Sequence, residues 1–400
     1  MELSRRHDRV FFLFYFGYMA IYIARLNLSM ASPAMLEGGI LTEVQLGFIG
    51  SAFSVVYSCG RLFNGVLGDR LAPWLLITAG LLLTGLANLL LGFLPPYLLI
   101  LVLWCLNAFG QSMLWSSMLR SMTGLYGKAR TDKKAPMLGT SIALGNILGI
   151  LLASWLVSNF GIRAAFVVPG CLTVLTGLVC LRVLPSLPEA PKPPKQEFPI
   201  VRFIQDKRIR GQLLPALFHG VIKDNISLWM AVYFLDRFAI DLESSAWYVL
   251  LIPLISLVSR FAYPVCYRLI GRRENLISML CFAVSAGLSV LLCLELPHPI
   301  VAALCLSLLY ALISMINTSL LSMFPLRFTK ENMVSSVSGL ADFATYLGAG
   351  IGSAVYGFVI ARFGYLPMFA SWAILCVISV ILVLRLHPFI KENENETSAA

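Results

Sequence analysis

From residue 10 onward the chain is a succession of apolar runs, each about 20 residues long, the length that crosses a lipid bilayer, with short polar connections between them. A backbone in hydrocarbon has no water to bond, so each run must satisfy its own N–H and C=O groups, which a helix does. The pattern therefore predicts an all-α integral membrane protein of twelve transmembrane helices. Only 12% of the 400 residues are charged, against about 25% in soluble proteins, and no stretch is polar enough for a separate soluble domain. The first run holds Arg25 and lacks a small-residue cleavage site, so it reads as the first span and not as a signal peptide.

Charge placement orients the spans. The net charge of +10 could suggest a nucleic-acid partner, but the basic residues fall on one side of an alternating topology. Arg5, Arg6, Arg9, Arg70, Arg130, Lys133, Lys134, Arg272, Arg273, Arg327, Lys330 and Arg385 share that side, and the other side offers Arg163, Arg237 and Arg362. The positive-inside rule then makes both termini cytoplasmic. A Pro-, Lys- and Arg-rich connection splits the chain into an N-terminal six-helix bundle (1–184), a cytoplasmic linker (185–212), a C-terminal six-helix bundle (213–390) and a disordered tail (391–400). Within the linker, 203–210 reads as a basic amphipathic element on the membrane surface. The nine cysteines show no metal spacing and read as core packing.

A charge inside an apolar span is costly and needs a use. In the first span Tyr18, Tyr22, Arg25 and Ser29 share one helical face. The sequence Arg25-Leu26-Asn27-Leu28-Ser29 has an echo 198 residues later, Lys223-Asp224-Asn225-Ile226-Ser227, in the seventh span. Arg61 in the second span and Arg260 in the eighth stand at similar depth. The two halves therefore read as a degenerate duplication, and matched cations on matched helices are what a carrier with a central anion site requires. Against Arg25, Arg61, Lys223 and Arg260 the spans hold only Asp224 and Asp342. An entering anion would complete that excess of positive charge.

Trp115 in the fourth span and the aromatic rings of Tyr18 and Tyr22 are candidate substrate contacts, as are Trp229 and Asn317. His219, one turn from Lys223, is a candidate proton carrier, with a neutral, bonded core histidine as the plainer reading. Gly139, Gly145 and Gly149 in the fifth span would permit close helix approach. No nucleophile elbow, catalytic carboxylate pair, phosphate-binding loop or metal spacing is present in the sequence. The expectation is a non-enzyme without cofactor or metal, driven by gradients.

These residues carry a resemblance. Gly65-Val66-Leu67-Gly68-Asp69-Arg70, after one span and before another, resembles the G-x-L-x-D-R loop of the major facilitator superfamily. Within it the chain resembles the organophosphate:phosphate antiporters, the glycerol-phosphate and hexose-phosphate transporters. The matching pieces are Tyr22-x-x-Arg25-x-Asn27, Arg61, Gln111-x-x-x-Trp115-x-x-x-x-Arg120, Lys223 with Trp229 and Tyr233, and Tyr346-Leu347-Gly348. The resemblance implies two pseudo-symmetric bundles that rock about a substrate site, with Arg25 and Lys223 binding phosphate and Arg61 nearby. Asp69, Arg70, Asp224, Arg260, Asp342 and His219 are the candidate gating and coupling residues. Two departures stand out: Lys223 replaces the family's usual arginine, and Gly145 occupies the place of a histidine found in some glycerol-phosphate carriers.

The expected function is exchange of an organophosphate for inorganic phosphate, in the cell (inner) membrane. The expected partners are the small anionic substrate and the lipid bilayer, with no nucleic acid and a monomeric chain. An alternative within the fold is a symporter of carboxylates or sugar acids, which share an R-x-N-[LI]-S first helix. An alternative of another class is a membrane sensor of a sugar phosphate that does not transport.

Overall fold

The structure, a computed structural model, describes residues 2–186, 205–271, 273–328 and 334–398; within these, side chains at 2–7, 65–70, 128–129, 132–133, 136, 242–243, 334–335 and 386–398 are not described. The described residues are helical with short turns and contain no strand. The helices are α1 (Glu2–Glu37), α2 (Glu43–Arg70), α3 (Pro73–Leu91), α4 (Tyr97–Ser112), α5 (Leu114–Tyr126), α6 (Lys128–Phe160), α7 (Ile162–Val183), α8 (Lys207–Phe238), α9 (Leu242–Leu269), α10 (Glu274–Cys293), α11 (Pro299–Thr318), α12 (Val334–Phe363) and α13 (Leu366–Ser398). α4 and α5 form one span, interrupted at Met113.

Among the described residues eleven helical spans are long and apolar enough to cross a bilayer. The remaining long helix, α8, spans 32 residues, but His219, Lys223, Asp224 and Asn225 dilute its middle. The surface tells the same story as the length. Leu269 is 80% exposed, Phe93 75% and Phe261 72%, an arrangement of large apolar side chains that suits lipid and not water.

The chain divides into two compact units, Met1–Gln196 with Ala231–Leu250, and Glu197–Met230 with Leu251–Ala400. The greater part of the expected linker, 187–204, lies outside the described residues. At its end Gln205, Lys207 and Arg210 are exposed. Ile209 is buried with Phe324, Phe328 and Val337, and the Arg208 guanidinium lies 4.6 Å from the Phe328 ring centroid. Asp206 caps α8 by accepting from the Arg208 amide at 2.9 Å and pairs with the Arg208 side chain at 2.7 Å. Burial pushes the Asp206 carboxyl up, but the hydrogen bonds and charge of Arg208 and the Ile209 amide outweigh it and hold the group below its ordinary value. The tail differs from expectation, since α13 continues to Ser398; the run 391–397 contains no glycine or proline to stop it.

Turn chemistry explains where the helices stop. α1 runs into Gly38-Gly39, with Gly39 at a φ of +64° that favours glycine. The next helix opens on a reciprocal cap, in which the Thr42 amide donates to Gln45 Oε1 (3.0 Å) and the Gln45 amide to Thr42 Oγ1 (3.2 Å).

In hydrocarbon the burial of apolar surface gives helices little reason to associate, so close packing and polar contacts must do it. In the first unit α1 is the hub: Val10, Phe11, Phe14, Tyr18 and Ile21 pack with Ile77 and Leu81 of α3, Leu114, Met118 and Met122 of α5, Leu138 of α6 and Cys180 of α7. A Cβ on Gly145 would lie 2.8 Å from both the Met19 carbonyl oxygen and Tyr22 Cβ, and one on Gly149 3.2 Å from Ile23 Cα, so α6 approaches α1 at these glycines as expected. Gly139 does not share that role, because nothing lies within 4 Å of a Cβ there. In the second unit Gly220 and Gly348 bring α8 and α12 into backbone contact, facing Thr345 and Leu217.

The chain after α11 continues through one wide π turn, Ser319–Met323, and a tight 3-10 turn, Phe324–Phe328. Pro325 explains the change. It supplies no N–H and its ring crowds the carbonyl four residues earlier, that of Leu321, which instead accepts from Ser338 Oγ at 2.7 Å.

Candidate functional site

In the first unit the site forms where α1, α2, α4 and α5 meet. Arg25 is half-buried on α1, and its guanidinium carbon lies 4.6 Å from the Phe53 ring centroid, 5.4 Å from that of Tyr57 and 5.9 Å from that of Tyr22. Phe53 and Tyr57 are stacked at 6.0 Å with an interplanar angle of 8°, and Phe53 rests against Trp104 of α4 at 5.7 Å. Arg61 continues the same face of α2, its guanidinium 6.0 Å from the Tyr57 ring. A ring face stabilises a nearby cation by about 0.5 to 2 kcal/mol without neutralising it. Tyr18, Tyr22 and Trp115 form an adjoining aromatic cluster, with Tyr18 5.5 Å from Tyr22 and 5.1 Å from Trp115. Tyr18 is buried, and Tyr22 and Trp115 are half-buried.

The sequence reading thus places Arg25, Tyr22, Tyr18, Trp115 and Arg61 in one neighbourhood, and misses Phe53 and Tyr57. The signal was available: Phe53, Tyr57 and Arg61 recur at four-residue spacing and so share one face of α2. Gln111 and Asn27 of the resemblance are not presented as ligands. Both are buried, Asn27 donating to Asn88 Oδ1 (2.7 Å) and Gln111 to Asn107 Oδ1 (2.9 Å). Arg120 donates to the Leu71 carbonyl at 3.3 Å and so ties α5 to the turn after α2.

In the second unit the corresponding cation is handled differently. Lys223 Nζ lies 3.5 Å from Asp224 Oδ1 and 5.8 Å from the Tyr346 ring centroid on α12. Lys223 and Asp224 are half-buried, and the second Asp224 oxygen has no hydrogen-bond partner among the described residues. His219, one turn earlier, is fully buried beside the Ile313 backbone, with neither ring nitrogen in hydrogen-bonding geometry among the described residues. Asn225 stands where Asn27 stands in the first unit and is equally buried, but donates to the Val221 carbonyl of its own helix at 2.8 Å. Trp229 is buried to 1% and belongs to the core; Asn317 is half-buried on α11.

Of the residues assigned to gating, Asp342 is half-buried on α12 and Arg260 is exposed on α9 beside the exposed Phe261. The side chains of Asp69 and Arg70, at the end of α2, lie outside the described residues. No group of three or more histidine, cysteine, aspartate or glutamate side chains that could hold a metal ion occurs among the described residues.

Comparison with known proteins follows the same lines. The chain is 27% identical over 182 residues to a protein named "Probable hexose phosphate transport protein" of Chlamydia muridarum, a match that covers 46% of this chain and 40% of that one. It is 27% identical over 188 residues to the membrane sensor protein UhpC of Escherichia coli, covering 46% and 42%. It is 33% identical over 151 residues to a glucose-6-phosphate exchanger of Bos taurus, covering 36% and 30%. Each match spans less than half the length of the relative. Among solved structures the fold is similar to a peptide transporter of the POT family (TM-score 0.78, 11% identity, 96% of this chain and 98% of that chain) and to a mutant of the nucleoside transporter NupG (TM-score 0.75, 13% identity, 95% and 99%). The family model of the Major Facilitator Superfamily matches residues 14–353, and the chain belongs to that superfamily.

Proposed function

We propose that the chain is a secondary carrier that exchanges an organophosphate for inorganic phosphate by alternating access. The observation that carries this reading is a cation at the matching position of both halves, Arg25 and Lys223, each half-buried within a helix of membrane-crossing length. Arg25 lies among three aromatic rings, where an entering dianion would give its guanidinium a charge-assisted partner. Its planar fork suits two oxygens of a phosphate, while Lys223 contributes a mobile point charge. Lys223 rests beside Asp224 at a loose 3.5 Å, so a phosphate would compete with that carboxylate for the ammonium. Arg61 extends the positive face of α2 toward the same ligand. Tyr22, Tyr18 and Trp115 would contact the organic part.

Asp69, Arg70, Asp224, Arg260, Asp342 and His219 serve gating or coupling in this reading. The carrier works as a monomer in the cell membrane, with both termini inside. Two of the relatives above are named for hexose phosphate transport and glucose-6-phosphate exchange, which favours this substrate class over carboxylates. One relative named as a membrane sensor supports a second reading, binding without transport.

Counterflow separates these. Proteoliposomes loaded with phosphate should take up labelled hexose phosphate or glycerol phosphate in exchange, and should ignore sugar acids. Binding of the same ligands without flux would favour the sensor; exchange of carboxylates alone would overturn the phosphate reading.

A further inference from the structure

The turn of α1 that carries Arg25 is held from outside its own helix. The Ala24 carbonyl accepts from Asn88 Nδ2 of α3 and from Asn107 Nδ2 of α4, both at 3.3 Å. Four residues on, the Leu28 amide donates to Asn27 Oδ1 at 2.9 Å. In a regular helix the Leu28 N–H and the Ala24 C=O are each other's partners, and the ring they close contains Arg25. Both ends of that ring are engaged by side-chain amides.

The network is closed around them. Asn27 Nδ2 donates to Asn88 Oδ1 at 2.7 Å and to the Ala165 carbonyl of α7 at 3.0 Å. The other hydrogen of Asn88 goes to the Thr84 carbonyl at 3.0 Å. Gln111 Nε2 donates to Asn107 Oδ1 at 2.9 Å. Asn27, Asn88 and Asn107 are fully buried and Gln111 is 2% exposed. Four primary amides in a dry interior are costly if any one is left unmatched, and apolar side chains of similar size would serve packing alone. What the amides add is a fixed backbone position for one turn.

We propose that Asn88 and Asn107 are positioning residues for phosphate binding: by holding the Ala24 carbonyl from two neighbouring helices, they set the direction in which Arg25 presents its guanidinium. Gln111 acts one step further out, by orienting Asn107. The inference rests on the reading of Arg25 as a phosphate ligand and adds residues that touch no ligand themselves. A guanidinium fork needs a fixed origin to place two donors at once, whereas a lysine ammonium on a flexible stem does not.

The test is a double-mutant cycle on the purified full chain, with inorganic phosphate as the probe, calorimetric affinity as one readout and thermal unfolding as the other. Asn107→Leu should weaken phosphate binding by about tenfold when Arg25 is present, and by less than about twofold in the Arg25→Lys background, a coupling of the size that linked sites show. Gln111→Leu, which leaves both amide donors to the Ala24 carbonyl in place, should show the same coupling at smaller size and covers the case in which Asn107→Leu does not fold. Equal losses in both backgrounds would assign the amides to stability alone and overturn the proposal, while leaving Arg25 as a ligand. An Arg25→Lys protein that binds phosphate as tightly as the natural chain would overturn the reading beneath it.

Discussion

At the scale of single residues, each half has a cation to accommodate. A charge in a low-dielectric interior must be stabilised or lost. Arg25 lies against the faces of Phe53, Tyr57 and Tyr22, and Lys223 lies beside both the carboxylate next to it in sequence and the Tyr346 ring. Asp206 illustrates the same physics outside the membrane. Its folded carboxyl is held below its ordinary value, so the stability it lends to the start of α8 is present above the unfolded pKa, about 3.9, and fades as pH falls through and below that value. Thermal unfolding followed from about pH 6 down to about pH 3 should therefore show the natural chain converging on an Asp206→Asn variant at the acid end. Parallel curves would show that Arg208 contributes nothing through this carboxylate.

At the scale of helices, close approach is decided by particular glycines, not by glycine content. The contrast between Gly145 and Gly139 makes that measurable. A methyl at 145 meets the Met19 carbonyl and Tyr22 Cβ, whereas one at 139 meets nothing within 4 Å. Gly145→Ala should cost about 1 to 3 kcal/mol through overpacking of α6 on α1, and Gly139→Ala should stay within about 0.5 kcal/mol of the natural chain. Equal stabilities by denaturant or thermal unfolding would refute the α1–α6 crossing. The same crowding explains why a histidine has no room at 145. Helix existence was legible in the sequence because an apolar run of bilayer length admits few other structures. Faces were less legible: the four-residue spacing of Phe53, Tyr57 and Arg61 puts them on one face of α2, but in an apolar run it does not say that this face meets Arg25, nor that Asn88 and Asn107 meet Ala24. The irregular turns after α11 left a readable trace, Pro325, whose effect falls four residues upstream at Leu321. The interruption at Met113 left none, since Met113 is neither glycine nor proline.

At the scale of the whole molecule, orientation rests on the distribution of lysine and arginine. In a cysteine-free background, a cysteine placed at Gly38 should react with an impermeant reagent added outside intact cells, and one at Lys192 should not; the reverse pattern would invert the topology. The proposed function rests on the two matched cations. The most direct measurement is calorimetric phosphate binding to Arg25→Gln, Lys223→Gln, Lys223→Arg and the double variant Lys223→Gln with Asp224→Asn. Removing either cation should cost about 2 to 5 kcal/mol, as for a desolvated charge pair. Lys223→Arg should keep phosphate and shift the preference among organic groups, and the double variant should remain weak. Near-natural affinity in the double variant would contradict the account, because Lys223 would then serve only to neutralise Asp224.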